Sequence, residues 1–313
     1  MLEFKPDWEI LESLRDRFLS ESFSGSDSYW NSFETLFQYH HTFAQRIGWK
    51  WESVLAEIRE RFLSNHSALK VLDWGCGTGI ASSQFLSFFE DGKSFQVNLW
   101  DRSTKSITFS QEILQKQYPK LEIQPWNKTI GPEPFILLLS HVLNELSPEA
   151  EKELMKITEQ AEWIFWVEPG MPHLSKKLIS LREELRKGFE VIAPCPHQES
   201  CGLLASSLQK DWCHFFAKTP SRVFQESFWK LFSTRLKIDL RSLPTSFLVL
   251  RRRGLASMPL TQGRVLGRAR SYKGYSLALT CRREGVKEEK LLDRDSKQVI
   301  DLLNEKQFTT WIP

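Results

Sequence analysis

Two rhythms divide the chain. Before residue 67, apolar positions return every three or four residues: Trp30, Phe33, Leu36 and Phe37, then Leu55, Ile58, Phe62 and Leu63. That spacing predicts amphipathic helices whose aromatic-rich faces form core. From Leu69 the pattern changes to short apolar runs alternating with amphipathic stretches. LKVLDW, FQVNLWD, LEIQPW, FILLLS, WIFWVEPG and FEVIAP read as strands. IASSQFLSFFE, SITFSQEILQKQ, SPEAEKELMKITEQ and LSKKLISLREELRKG read as the helices among them. The third helix carries a proline in its first turn and acids near its start, and Gly188 closes the fourth. Strands alternating with helices predict a parallel, doubly wound α/β sheet with right-handed crossovers.

The alternation breaks after Pro194. A cysteine-containing stretch comes first, then an amphipathic helix around SRVFQESFWKLFST, with Phe224, Phe228 and Phe232 on one inward face. The strand SFLVLRRR follows, then a hairpin, RVLGRARSYKGYSLALTC, turning near Lys273-Gly274, and a short final helix. The expected organisation is a helical region over 1–66 and an α/β core over 67–194. A cysteine-containing insertion with its helix covers 195–245, and a last core strand with a basic, β-rich extension covers 246–313.

Composition sharpens this picture at two points. No apolar run in the 313 residues approaches the roughly 18 needed to span a membrane. The first residues carry Glu3, Asp7, Glu9 and Glu12, unlike a secretory or transit leader. A cytoplasmic, monomeric protein with reduced thiols is therefore expected. The net charge of +3 also hides an asymmetry: residues 217–290 hold 17 Lys and Arg against 5 Asp and Glu, +12, which leaves −9 for the remainder. Such segregation predicts a polyanion-binding face on the C-terminal part, with a solvated basic surface as the plainer reading.

The first strand runs into a glycine loop, VLDWGCGTG, containing Asp73, Gly75, Gly77 and Gly79. Glycines let backbone pass close under a ligand, where side chains would clash. Asp101 ends the second strand, where a carboxylate can accept the hydroxyls of a ribose. The spacing D-x-G-x-G-x-G departs from the dinucleotide G-x-G-x-x-G and resembles motif I of class I S-adenosylmethionine-dependent methyltransferases. That resemblance implies that Asp73 and the glycines face the methionine part of the cofactor, Asp101 its ribose, and Gln124 to Asn127, including Trp126, its adenine. Ligands of open α/β sheets lie beyond the carboxyl ends of the strands. Ser140, His141, Asn144 and Glu145 after the fourth strand, and Glu168 after the fifth, are therefore further candidates. Ser140 is a candidate for lining the cofactor pocket, and His141 or Glu145 for a base. The catalytic residues themselves are not written in the sequence, and no [DNS]-P-P-[YF] signature of amino-methylating enzymes is present.

Three of the five cysteines crowd into PCPHQESCGLLASSLQKDWCHFF, at Cys195, Cys201 and Cys213. Cys281 follows alone, after the basic region, and Cys76 sits in the glycine loop as a small filler. Free cysteines are ordinarily core residues, but four thiolates also suit structural Zn²⁺ or an iron–sulfur cluster. Spacing does not separate those two metals.

DWGCGTG, CPHQESC, DWCHF and the late Cys281 together resemble the methyltransferase-like proteins of the small ribosomal subunit, over about Leu69 to Cys281. The resemblance implies a class I methyltransferase fold and a [4Fe–4S] cluster held by Cys195, Cys201, Cys213 and Cys281, with zinc as the alternative metal. It also implies His197 and His214 beside the sulfurs, and action on the small ribosomal subunit or its rRNA. The expectation is a methyltransferase-like protein that binds S-adenosylmethionine. A non-catalytic assembly factor with the same ligands and a small-molecule methyltransferase are the alternatives.

Overall fold

A computed structural model describes residues 4–19, 30, 32–63, 69–89, 95–205, 208, 210–254, 262–294, 297–304, 308, 311 and 312. In chain order its elements begin with helices α1 (Trp8–Leu19), α2 (Phe33–His40) and α3 (Phe43–Leu63). Then come β1 (Lys70–Trp74), α4 (Ile80–Phe89), β2 (Gln96–Trp100), α5 (Thr104–Gln117), β3 (Glu122–Pro125), β4 (Phe135–Ser140) and α6 (Pro148–Thr158). They continue with β5 (Trp163–Pro169), α7 (Pro172–Leu185), β6 (Phe189–Ala193), β7 (Phe215–Ala217) and α8 (Ser227–Leu236). The C-terminal elements are β8 (Leu243–Arg252), β9 (Gly263–Tyr272), β10 (Tyr275–Arg282), β11 (Gly285–Leu292), α9 (Lys297–Asn304) and β12 (Trp311–Ile312). Among the described residues no helix is long and apolar enough to cross a membrane.

Two compact units divide the chain, the first formed by residues 1–162 and 219–241. Its strands lie in the order β3-β2-β1-β4, all parallel, with Lys70 opposite Gln96 on one side and Phe135 on the other. β4 reads FILLLS and is buried along almost its whole length, as a central parallel strand must be. Ser32, Ser103 and Ser147 cap α2, α5 and α6 through their side chains, which fixes where those helices begin. α3 buries Trp49, Trp51, Val54, Leu55, Ile58 and Phe62. Trp49 packs edge-on against Trp229 at 5.1 Å, and Phe43 against Phe232 at 5.4 Å, so α8 joins the N-terminal helices.

The second unit comprises residues 163–218 and 242–313. β8 lies between β5 and β6 and runs antiparallel to both, and β7 also pairs with β8. The expected parallel sheet is thus a mixed one, with β8 as its antiparallel member beside β5 and β6. α8 precedes β8 in the chain, but an antiparallel strand needs no right-handed crossover to reach its place. A separate antiparallel sheet, β11-β10-β9-β12, carries the predicted hairpin, with Lys273-Gly274 at its turn. Gly274 has φ +87, the left-handed conformation such a tight turn requires. The expected inward phenylalanine face is also only partly observed. Phe232 is fully buried, but Phe224 is 56% exposed, because a 3-10 turn over Ser221–Phe224 breaks the helical register before α8 starts.

Candidate cofactor and thiol sites

In the first unit, β1 delivers Asp73 to a fully buried position. Its Oδ2 accepts hydrogen bonds from Ser82 Oγ at 2.7 Å and Ser82 N at 3.3 Å, which ties β1 to the start of α4. Asp73 Oδ1 is buried with no hydrogen-bond partner, as is Thr78 Oγ1. Burial pushes the Asp73 carboxyl up to about 7. Gly75, Gly77 and Gly79 all have positive φ. A methyl group on Gly75 would come within 2.7 Å of Val142 Cγ1, whereas one on Gly77 would meet nothing within 4 Å. The loop thus keeps open space in front of Gly77. Asp101 Oδ2 accepts the Gly77 N–H at 3.0 Å, and its Oδ1 accepts the Ser103 N–H at 2.9 Å. Burial raises this carboxyl too, against the two backbone bonds. Cys76 is buried between these acids, and burial pushes its thiol well up, as an inert filler would require.

The predicted residues after β4 divide. Ser140 Oγ accepts a hydrogen bond from Trp51 Nε1 of α3 at 2.9 Å. His141 adopts a left-handed φ of 57°. Its Nε2 lies 3.4 Å from Lys50 Nζ. Burial first, then Lys50 and Arg46, drives the His141 pKa well down, so the ring is neutral. Glu145 turns instead toward Arg102, 3.3 Å away. Asn144 is exposed.

Trp126 lines a groove with Lys70, Gln96, Asn98, Gln124 and Thr129, and the groove's lining includes neither Asp101 nor any loop glycine. Trp126 Nε1 donates to Thr129 O at 3.1 Å. In the second unit Glu168 is fully buried in β5 and accepts from Trp166 Nε1 at 2.9 Å.

The second unit also gathers the four separated cysteines. Cys195, Cys201 and Cys213 line one small pocket with Arg182. Burial, then Cys195, Cys201 and Cys281, pushes the Cys213 thiol well up, so the other three thiols all act on it. Burial and Cys195 push Cys201 up to about 11. Each is held by its element. Cys213 O accepts from Ser175 Oγ at 2.8 Å and Ser246 Oγ at 2.7 Å. Cys201 N donates to Glu183 Oε1 at 3.1 Å. Cys281 lies in β10, opposite Arg264 of β9 and Val286 of β11.

His197 is buried, with Nε2 3.5 Å from Cys281 Sγ. His214 stacks on Trp212 at 4.5 Å and turns its Nδ1 to Trp212 O at 3.0 Å. Among the described residues, no three His, Cys, Asp or Glu side chains form a ready-made site for a single metal ion.

Two arginines that sequence reasoning missed complete this site. Arg182, only 2% exposed, donates from Nε to Cys195 Sγ at 3.2 Å and from Nη2 to His197 O and Glu199 O. Arg264 is fully buried, donates to Pro194 O at 2.6 Å, and lies over the Phe215 ring at 4.3 Å. In sequence Arg182 is one charge among many on an amphipathic helix, with no local signal of burial. Arg264 had one usable sign, its place in a strand beside apolar Val265 and Leu266.

Residues 41–297 match the family described as mitochondrial small ribosomal subunit Rsm22, a span that includes the glycine loop and all four separated thiols. The chain belongs to the Rsm22 family. No curated protein matches this Rsm22-family chain. Among solved structures it is similar to magnesium protoporphyrin IX methyltransferase from Synechocystis with bound S-adenosylmethionine, at 15% identity, over 80% of this chain and 99% of that one, with a TM-score of 0.39. A protein of Thermoplasma acidophilum is similar at 13% identity over 68% of this chain and 98% of that one, TM-score 0.38. Precorrin-6y C5,15-methyltransferase from Geobacter metallireducens is similar at 12% identity over 63% and 88%, TM-score 0.35. Likeness at this level carries no functional weight.

Proposed function

We propose that this Rsm22-family chain is a class I methyltransferase-like protein that binds S-adenosylmethionine and acts on the small ribosomal subunit or its rRNA. The observation that carries the cofactor is the glycine loop. Gly77 leaves open space, Asp101 braces it from the second strand, and Asp73 Oδ1 and Thr78 Oγ1 remain buried without partners. Buried polar atoms ordinarily find hydrogen-bond partners. An ammonium donor satisfies the carboxylate oxygen at Asp73, which fits the methionine end of S-adenosylmethionine. When bound, that cofactor supplies an activated methyl group. Ser140 and His141 stand at the end of β4 as candidates to line the site, Trp126 remains a candidate for the adenine, and His141 or Glu145 for a base. Membership of the Rsm22 family supports the ribosomal partner, and the +12 segment supports contact with a polyanion.

The proposal includes a [4Fe–4S] cluster held by Cys195, Cys201, Cys213 and Cys281. The donor set fits. Four thiolates would bring excess negative charge into a largely buried site, and Arg182 and Arg264 stand there to offset it. Protein purified without air should carry about four irons per chain and absorb in the visible; zinc at about one per chain would overturn the cluster.

Labelled S-adenosylmethionine and small subunits from cells lacking the protein test the reaction. Methyl incorporation is the expected result. Tight cofactor binding without incorporation would point instead to a non-catalytic assembly factor, and absence of cofactor binding would overturn the reading.

A further inference from the structure

The two faces of β2 are unlike. Val97 and Leu99 are fully buried, while Gln96, Asn98 and Trp100 are only half-buried. β2 lies between β1 and β3, and an interior parallel strand is ordinarily apolar on both faces because crossover helices cover both. Here the connection from β3 to β4 holds no helix. β3 and β4 lie on opposite sides of β2 and β1, and residues 126–134 make the crossing alone. Register fixes what that face displays. Leu72 pairs with Asn98 and Asn98 with Gln124, so the three side chains stand in one row. Gln96, two residues before Asn98, stands on the same face.

This face and the β3–β4 connection line a groove of about 190 Å³. The groove differs in place from the cofactor site. Its β1 residues are Lys70, Val71 and Leu72, at the start of the strand, whereas the glycine loop follows the strand's other end. The five residues of β1 put about 13 Å between those ends. Amides dominate the groove: Gln96, Asn98, Gln124 and Asn127 each offer an acceptor and a two-proton donor. Gln124 Nε2 donates to Asn98 Oδ1 at 3.3 Å, and Asn127 Oδ1 accepts the Thr129 N–H at 2.9 Å. The amino group of Asn98, the carbonyl oxygen of Gln124 and the whole side-chain amide of Gln96 have no hydrogen bond among the described residues. Lys70 and Glu133, the charged residues of the lining, pair with each other.

That pairing leaves a charged ligand no counter-charge in the groove. A neutral, flat molecule with donors and acceptors side by side fits instead, and the edge of a nucleobase is such a molecule. Asn and Gln read base edges through two hydrogen bonds at once. The volume lies below the roughly 300 Å³ at which pockets for whole small-molecule ligands begin, so it suits one ring system. Base edges are free for such contacts in unpaired segments of RNA. A free nucleotide would bring its phosphates to a groove whose cation is already paired. In a strand the phosphates stay outside, where exposed Lys128, between the lining residues Asn127 and Thr129, is held over the Trp100 ring at 5.6 Å.

We infer that this groove takes one unpaired nucleobase of a single-stranded RNA segment, read by Gln96, Asn98 and Gln124. The inference rests on the rRNA reading above and adds to it a place in the first unit where base identity is sensed. These amides carry no charge and take no part in methyl transfer.

The test measures fluorescence anisotropy of short labelled oligo(A), oligo(C) and oligo(U) on the full chain. The wild type should bind its preferred strand about tenfold more tightly than the least preferred. Asn98→Leu combined with Gln124→Met should weaken the preferred strand and bring all three within about twofold of one another. The slope of log affinity against log salt should stay as in wild type, because no charge is removed. S-adenosylmethionine affinity should also stay, which reports a folded chain and a separate cofactor site. Should that variant fail to fold, Gln96→Met carries the same test, since its amide has no hydrogen bond to lose. A wild type that binds the three strands equally, or variants that keep the preference, overturns the inference and leaves the rRNA partner standing. Displacement of the strand by S-adenosylmethionine overturns it too, because the groove would then belong to the cofactor. A nucleoside monophosphate that binds the wild type and not the variants would make the ligand a free nucleotide and overturn the RNA assignment. A wild type that binds none of the strands removes the rRNA reading as well.

Discussion

Single atoms separate two kinds of glycine in the loop. At Gly75 an added methyl would press on Val142 Cγ1 at 2.7 Å, and the backbone has φ +77. Gly75→Ala should therefore lower stability by about 2 kcal/mol or more, since it combines overpacking with left-handed strain. At Gly77 the added methyl meets nothing, and only the backbone term of about 1 kcal/mol applies. Gly77→Ala should keep most of its stability yet lose S-adenosylmethionine affinity, because the methyl fills the open space. Denaturant titration and calorimetry on both variants check this; equal cofactor affinity in Gly77→Ala and wild type would count against the site.

Asp73 gives a pH signature at the same scale. Unfolded, it gives up its proton near pH 4; folded, burial holds the value near 7. Between those values the folded chain keeps a proton that the unfolded chain has released, so stability falls as pH rises through that window. Asp73→Asn should remove that contribution. The variant should therefore compare more favourably with wild type at about pH 8 than at about pH 5, and parallel melting curves at the two values would refute it.

At the scale of elements, the thiol site depends on α7 more than on the cysteine loop itself. Arg182 projects from α7 to Cys195 Sγ, His197 O and Glu199 O. Removing it takes that donor from the buried His197 O and from the partly buried Cys195 Sγ. Arg182→Met should cost about 3 kcal/mol and lower iron content per chain. Arg283→Met, at an ion pair that is 77% exposed on the arginine side, should change stability by less than about 0.5 kcal/mol. Denaturation midpoints and iron analysis distinguish the two, and an iron content unaffected by Arg182→Met would remove the bracing role.

The contrast also marks what was legible beforehand. The glycine loop and Asp101 could be read because short-range backbone geometry writes them at fixed spacing. The four thiols could be read as a group because cysteine is scarce in this chain. Arg182 and Arg264 could not, because an arginine in an amphipathic pattern looks the same whether it faces water or a buried site. The antiparallel β8 and the broken helix before α8 were hidden for another reason: local periodicity does not encode strand direction or the point where a register fails.

For the whole molecule, the ribosomal reading turns on charge. The +12 of residues 217–290 is not all at the surface, since Arg251 and Arg264 are buried and Arg251 is paired with Glu190. Arg270 is likewise paired with Glu288. What remains exposed on the β9–β10–β11 sheet includes Arg268, which lies over Phe216 at 3.9 Å, Lys273 at the hairpin turn, and Lys290 over Tyr275 at 4.2 Å. Tyr275 is in turn stacked on Tyr272 at 5.0 Å. Cations held against aromatic rings are oriented, so a phosphate that meets them displaces counterions without first ordering the side chains.

The prediction is a steep salt dependence of binding to single-stranded segments of small-subunit rRNA. Each phosphate neutralised contributes about −0.7 to the slope of log affinity against log salt. Replacing Arg268, Lys273 and Lys290 together with glutamine should flatten that slope by about 2 and weaken binding at low salt, while cofactor affinity at the glycine loop stays as in wild type. A slope unchanged by the triple substitution would place the RNA contact elsewhere on the chain. Binding insensitive to salt would remove the electrostatic basis for an rRNA partner.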